Sequence, residues 1–254
     1  MAITLKTNSD IAVMHEAGKI VAETLELLRQ MVRPGITTAE LDSAARRHIE
    51  SRGATSSFLG FQGYPASLCA SVNNEVVHSI PGPRSLQDGD IIKLDTGAFY
   101  RGFHGDACIT VAVGKISPHV ARLMHTCEES LWKGIEQAQP GKRLGDIGAA
   151  IQRYAEAQGF SVVRTCTGHG IGRQLHEEPI VHHVGQPGKG LQLRPGMVIT
   201  IEPILNVGHY ATRTLADGWT MITADGSLSA QYEHTLAITS KGPKILTPWI
   251  GTRA

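Results

Sequence analysis

The chain has 254 residues, 41% of them hydrophobic and 19% charged, with a formal net charge of +1, a composition that suits a globule able to bury a sizeable core. No run of Lys or Arg is long enough to track a phosphate backbone, so nucleic acid is not an expected ligand, and no stretch approaches the roughly 18 apolar residues of a membrane span. Cys69, Cys108, Cys127 and Cys166 show no C-x-x-C spacing and read as reduced thiols, mostly in the core.

The start, Met1-Ala2-Ile3-Thr4-Leu5-Lys6, lacks the apolar h-region of a secretory signal, which predicts a cytoplasmic protein. A helix is predicted over about residues 10–30. Pro34-Gly35-Ile36-Thr37 opens a second helical pattern through Leu41, Ala44, Ala45, His48 and Ile49. It ends at Arg52-Gly53, where glycine suits the positive φ beyond a helix C-cap. Residues 86–95 read as a turn and a β-branched strand ending on Asp95. The ten residues after it contain three glycines and permit a hairpin. A turn centred between Tyr100 and Arg101 would place Asp95 directly opposite Asp106, which opens the next alternating strand.

The pattern then recurs. A helix is predicted over about 119–137, and Pro140-Gly141-Lys142-Arg143 leads a pattern through Ile147, Ala150, Ile151, Tyr154 and Ala155 to Gln158-Gly159, at a constant, ungapped offset of 106 residues from the first copy. Residues 193–202, ending on Glu202, match 86–95, and the strand opened by Glu233 matches the one opened by Asp106. Such a repeat predicts one α+β domain over residues 1–254 with pseudo-twofold halves, about 10–115 and 117–245. Each half would be two helices feeding antiparallel strands, with the helices on one sheet face.

One Asp at a strand end is ordinarily a solvated residue. The repeat changes the expectation, because it brings Glu202 and Glu233 to positions related to Asp95 and Asp106, so four carboxylates converge between the halves. Four such groups cannot all stay ionised without cations, since each proximity and each step of burial raises the next pKa. Two divalent cations would balance the charge, and oxygen ligands with one imidazole suit Mn²⁺, Fe²⁺, Co²⁺ or Zn²⁺ in a two-metal site.

The imidazole is expected from His169 in Thr167-Gly168-His169-Gly170-Ile171-Gly172, whose flanking glycines would let the backbone pass close to a ligand. This run is not a dinucleotide fingerprint, because Arg173 follows it and no matching acidic residue is evident. Nor is His176-Glu177-Glu178-Pro179 a zincin motif, since Pro179 would spoil the helix it needs. His182 and His183 read as a polar surface pair. His78 and His176, beside glycine- and proline-rich loops, are candidate acids or hydrogen-bond donors.

Taken in order, residues 73–81, Leu94-Asp95-Thr96-Gly97, Gly105-Asp106, residues 167–172, His176-Glu177-Glu178-Pro179, Ile201-Glu202-Pro203 and Gln231-Tyr232-Glu233-His234-Thr235 resemble the type I methionine aminopeptidases of pita-bread fold. The resemblance runs from about residue 10 to 247. It implies that Asp95, Asp106, His169, Glu202 and Glu233 hold two divalent ions, with Asp106 and Glu233 bridging. It implies that His78 and His176 contact the scissile peptide and that Glu202 shuttles the proton. It also implies a methionine pocket of Phe58, Phe61, Tyr64, Cys69, Leu175 and Trp219.

The implied activity is release of the N-terminal methionine from nascent polypeptides whose second residue is small and uncharged, by a monomer in transient contact with the ribosome. On that reading the chain's own Met1-Ala2 start is a substrate. Leu175 stands where many relatives have Phe, and Ser79 where they often have Gly, which bears on the pocket's shape and the aim of His78. Glu202 and Glu233 lie only 31 positions apart, which leaves no room for the helical insertion of type II enzymes. Xaa-Pro peptidases of the same fold would share the five ligands but normally carry an added N-terminal domain.

Overall fold

The structure is a computed structural model that describes residues 3–248; the Met1-Ala2 start lies outside the described residues. Helix α1 (Asn8–Met31) begins at a capping box in which the Thr7 hydroxyl accepts from the Asp10 amide and the Asp10 carboxylate from the Thr7 amide. Helix α2 (Thr38–Ser51) repeats the device with Thr37 and Glu40. Such caps satisfy amides the first helical turn leaves unpaired and are worth about 1 kcal/mol each. In α1, Ile11, Met14, Gly18, Val21, Leu25 and Leu28 are buried, a 3-4 spacing that turns one apolar stripe inward.

The second pair follows the same logic. Helix α3 (Pro118–Gln137) starts from Ser117 with proline in its first turn, and α4 (Leu144–Ala157) starts where the Arg143 amide donates to Asp146. Gly53 and Gly159, just past α2 and α4, have φ of 70° and 82°, as their place after the C-cap requires.

The first half contributes β1 (Thr55–Ser56), β2 (Cys69–Val72), β3 (Glu75–Val77), β4 (Ile91–Tyr100) and β5 (Phe103–Ala112). The second contributes β6 (Ser161–Val162), β7 (Gly168–Gly170), β8 (Glu177–Val181), β9 (Val198–Ile201), β10 (Ile204–Asn206), β11 (Thr212–Thr214), β12 (Met221–Thr223), β13 (Ser229–Gln231), β14 (Glu233–Thr239) and β15 (Gly242–Ile245). The main sheet runs β1-β4-β5-β14-β9-β7-β8, with β2 also on β4 and β15 also on β14. Its seam is the antiparallel β5·β14 pair, where Cys108 faces Glu233. On either side the hairpin β4–β5 and the pair β9·β14 play equivalent parts, which is the α+β pita-bread layout.

Alternation along the strands decides where the polar groups go. Leu94 of β4, Ala107 and Ile109 of β5, Ile199 and Ile201 of β9, and Leu236 and Ile238 of β14 join residues of all four helices in one apolar cluster. Residues one position away, among them Asp95, Asp106 and Glu233, therefore face the other side of the sheet. Helix α1 sits directly on β5 because both surfaces are bare there. A Cβ on Gly105 would lie 2.8 Å from the Gly18 nitrogen.

The β4–β5 register corrects the expectation that the two Asp residues are directly opposite. Asp95 pairs with Cys108 and Asp106 with Gly97, around a two-residue turn of Arg101 (φ 47°) and Gly102 (φ 87°). Such a turn needs positive φ at both central residues, and Gly102 supplies it where Tyr100-Arg101 could not. The two Asp are diagonal neighbours, and because the pairing shifts by two residues they keep the same face. All four cysteines are free, and no helix of the described residues is long and apolar enough to cross a membrane.

Candidate metal centre and substrate cavity

Five consecutive strands of the sheet each deliver one polar group. In the order β4-β5-β14-β9-β7 these are Asp95, Asp106, Glu233, Glu202 (one residue past β9) and His169 (the centre of β7). Ligand atoms of Asp106, His169 and Glu233 all lie within 4.8 Å of one another. His169 Nε2 is 3.8 Å from Glu202 Oε1, and Asp95 lines the same cavity.

Burial pushes the Asp95 carboxyl up to about 7. Burial first, and then the other carboxylates, raise Asp106, Glu202 and Glu233 well above the ordinary range. Asp95 Oδ1, Asp106 Oδ1 and Glu233 Oε1 are buried and find no hydrogen-bond partner among the described residues, whereas buried polar atoms in proteins are nearly always paired. Three orphaned oxygens in a cluster of mutually repelling acids fit divalent cations, which would supply both the missing partners and the missing charge.

His169 is set for ligation. Its Nδ1 lies 2.9 Å from the Gly170 carbonyl, which can only accept, so Nδ1 carries the proton and the Nε2 lone pair faces the acids. Burial drives its pKa down to about 3, keeping the ring neutral. The flanking glycines serve strand packing rather than the ligand approach expected of them. A Cβ on Gly168 would meet the Thr200 carbonyl at 2.5 Å, and one on Gly170 would clash with the Glu178 carbonyl. Residues 168–170 are a strand, not a strand-to-helix turn, and Glu177–Val181 is also a strand, so neither a dinucleotide loop nor a zincin helix forms there.

Four supporting residues escape a reading of the ligands alone. The Thr235 hydroxyl accepts from the Asp106 amide and donates to the Asp106 carbonyl, fastening the seam. Thr200 donates to Glu202 Oε1 at 3.0 Å, and Gln231 Nε2 lies 3.4 Å from Glu202 Oε2. Each stands two residues from a proposed ligand, Thr235 on the same strand as Glu233, Thr200 on the strand that leads into Glu202 and Gln231 at the end of β13 just before Glu233, a signal period-two alternation offers. The fourth is His183, which the sequence suggested is on the surface. His182 is exposed, but His183 is buried, and its Nε2 accepts from the Glu202 amide at 3.1 Å. Alternation continued past β8 turns Val181 and His183 inward and His182 outward.

Beside the acids lies a cavity of about 1060 Å³. Phe58, Phe61, Tyr64, Cys69, Leu175 and Trp219 all line it, as do His78 and His176. Tyr64 meets Trp219 edge to face at 5.0 Å, Phe61 meets His176 at 5.1 Å, and the rings of His176 and His169 are 4.2 Å apart. Cys69 pairs across strands with Asp95, so the apolar pocket abuts the acids. His78 is held at φ 59°, a conformation that costs a non-glycine residue energy and recurs at functional sites. The loop after it is anchored by Ser79, whose carbonyl lies 3.0 Å from the Tyr64 hydroxyl. Burial lowers the pKa of both His78 and His176.

Residues 12–240 match metallopeptidase family M24. The chain belongs to that family. The methionine aminopeptidase of Clostridium perfringens is 55% identical over 245 residues, covering 96% of this chain and 98% of that one. Methionine aminopeptidase 1 of Bacillus subtilis is 51% identical, covering 96% and 99%. The crystal structure of the Rickettsia prowazekii methionine aminopeptidase matches with a TM-score of 0.96 at 42% identity, over 97% of this chain and all of that one. Within the M24 metallopeptidases the chain is of the type I methionine aminopeptidase kind, a metal-dependent hydrolase acting at the peptide N-terminus.

Proposed function

We propose that this M24 peptidase removes the N-terminal methionine from polypeptides whose second residue is small and uncharged, with two divalent cations held by Asp95, Asp106, His169, Glu202 and Glu233. The carrying observation is the cluster of orphaned, buried carboxylate oxygens facing an apolar cavity. Asp106 and Glu233, on the seam between halves, would bridge the two ions. The ions, Fe²⁺, Mn²⁺, Co²⁺ or Zn²⁺, would bring the pKa of water toward about 7 and polarise the scissile carbonyl.

The protein's own groups do the rest. Glu202, oriented by Thr200 and Gln231, carries the proton from water to the leaving amine. Asp95, adjoining the pocket at Cys69, holds the substrate's free α-amine, which confines cleavage to a chain end. His176 donates to the carbonyl oxygen as negative charge develops, and His78 holds the peptide beside it. Burial keeps both rings neutral near pH 7, with one N–H each to donate.

The aromatic and sulfur-lined pocket takes a flexible thioether, and Leu175, shorter than Phe, widens it locally. In this proposal residues 1–254 act as one catalytic domain, a cytoplasmic monomer that meets nascent chains in transient contact with the ribosome; the four free thiols suit a reducing compartment. The test is methionine release from Met-Gly-Met-Met, Met-Ala and Met-Arg peptides, and cleavage of Ala-Pro, after EDTA treatment and metal add-back. Metal-restored release before Gly and Ala, with none before Arg, is the expected result. Comparable rates on Met-Ala and Met-Arg, or cleavage confined to Ala-Pro, would overturn it.

A further inference from the structure

The N-terminal segment forms part of the cavity wall. Thr4, Leu5 and Lys6 line it, and the Lys6 side chain, although cationic, is only 3% exposed. Its Nζ donates to Glu177 Oε2 at 2.5 Å and to the Thr4 carbonyl at 3.1 Å, while the Lys6 amide donates to the Gly196 carbonyl at 2.7 Å. A buried ion pair gains little stability over an apolar pair of the same shape, so stability alone does not account for it. The fold also makes room for the pair. A Cβ on Gly172 would lie 2.5 Å from Lys6 Cε and 2.9 Å from its Nζ.

The pair ties down one short loop. Glu177 Oε1 accepts from the Gln174 amide at 3.1 Å, the Gly172 amide donates to the Gln174 carbonyl, and the Gly172 carbonyl accepts from the His104 amide. Between Gln174 and Glu177 stand Leu175 and His176. Among the described residues the His176 ring has edge contacts to Phe61 and His169 and no hydrogen bond that would aim it. Its direction is therefore set by its backbone, which Glu177 holds.

We propose that Lys6 is a positioning residue, its ammonium acting through Glu177 to fix the loop that aims His176 at the substrate. This rests on the reading of His176 as the donor to the scissile carbonyl. The segment before α1 is then a working wall of the active site, and a side chain from the chain's start governs a donor about 170 residues later.

The test uses the full-length protein with Lys6→Met and Glu177→Gln, each alone and combined with His176→Ala. Three quantities are read: kcat on a Met-Ala peptide, bound metal, and the His176 imidazole NMR resonance in metal-free protein, assigned by its loss in His176→Ala. Each single variant should lower kcat about tenfold, leave bound metal unchanged and shift the His176 resonance. In the His176→Ala background the same changes should alter kcat by less than about twofold, because coupled residues are non-additive.

A tenfold loss that persists without His176, a resonance that does not move, or loss of metal would each overturn the positioning role. An unchanged kcat in His176→Ala alone is a different failure, of the donor role itself, and it removes this inference with it. Should Lys6→Met not fold, Glu177→Gln decides the matter, since it is nearly isosteric and keeps an acceptor for the Gln174 amide.

Discussion

Asp95→Asn in metal-free protein should raise stability at neutral pH while abolishing catalysis in metal-loaded protein. The Asp95 carboxyl ordinarily titrates at 3.8 and is pushed up to about 7 in the folded chain by burial. A folded-state pKa above the unfolded one means the folded form binds more protons, so its stability falls as pH rises from about 4 to about 7. Raising the carboxyl from 3.8 to about 7 corresponds to roughly 4 kcal/mol of destabilisation above pH 7, shared with the acids that titrate alongside it, and none of it is present below pH 4.

Asparagine cannot ionise, and its amide can donate to the neighbouring acids, so it escapes the penalty. Urea unfolding of EDTA-treated wild type and Asp95→Asn from pH 4 to 8.5 measures the difference. The variant should match wild type near pH 4 and gain progressively, by up to roughly 4 kcal/mol, toward pH 8. A difference that does not change with pH, or a variant less stable than wild type at pH 8, would refute the account of Asp95 as a carboxyl buried for a cation.

Asp106→Ala and Glu233→Ala should each abolish activity and lower bound metal by elemental analysis, since both sit at the seam where the acids of the two halves meet. His176→Ala should keep its metals and lose about 10²-fold in kcat, as removal of an oxyanion donor does; metal loss in that variant would contradict its role. Gly170→Ala should destabilise the protein by at least about 2 kcal/mol in denaturant titration, because the new Cβ meets the Glu178 backbone carbonyl. A peptide of the chain's first eight residues should lose Met1 to active enzyme by mass and keep it with Asp106→Ala protein, whereas in the folded chain Thr4 to Lys6 are held against the cavity and Met1 release should be slower.

Much of the site is legible from the chain because its signals are local or repeated. Carboxylates at matching places in two halves, at the starts or ends of alternating strands, converge in any fold that pairs those strands about a twofold axis. The Arg101-Gly102 turn shows the limit. Hairpin length alone allows several registers, and three glycines in the segment leave open which of them takes the turn; the fold selects Gly102. His183 shows another, because two adjacent histidines on a strand extension must point to opposite sides, and nothing local says which is inward.

Helix periodicity, capping residues, the repeat and the five candidate ligands can be read from the sequence because each depends on residues near one another in the chain or on a copied pattern. What only the tertiary structure decides is the set of partners joined across long separations. Thr235 locks Asp106, His183 holds the Glu202 amide, and Lys6 reaches Glu177. These contacts have no period and no spacing rule; they exist because the fold brings strands distant in sequence to about 5 Å apart in the sheet and carries their flanking segments with them, and because burial turns an ordinary polar side chain into one that must find a partner.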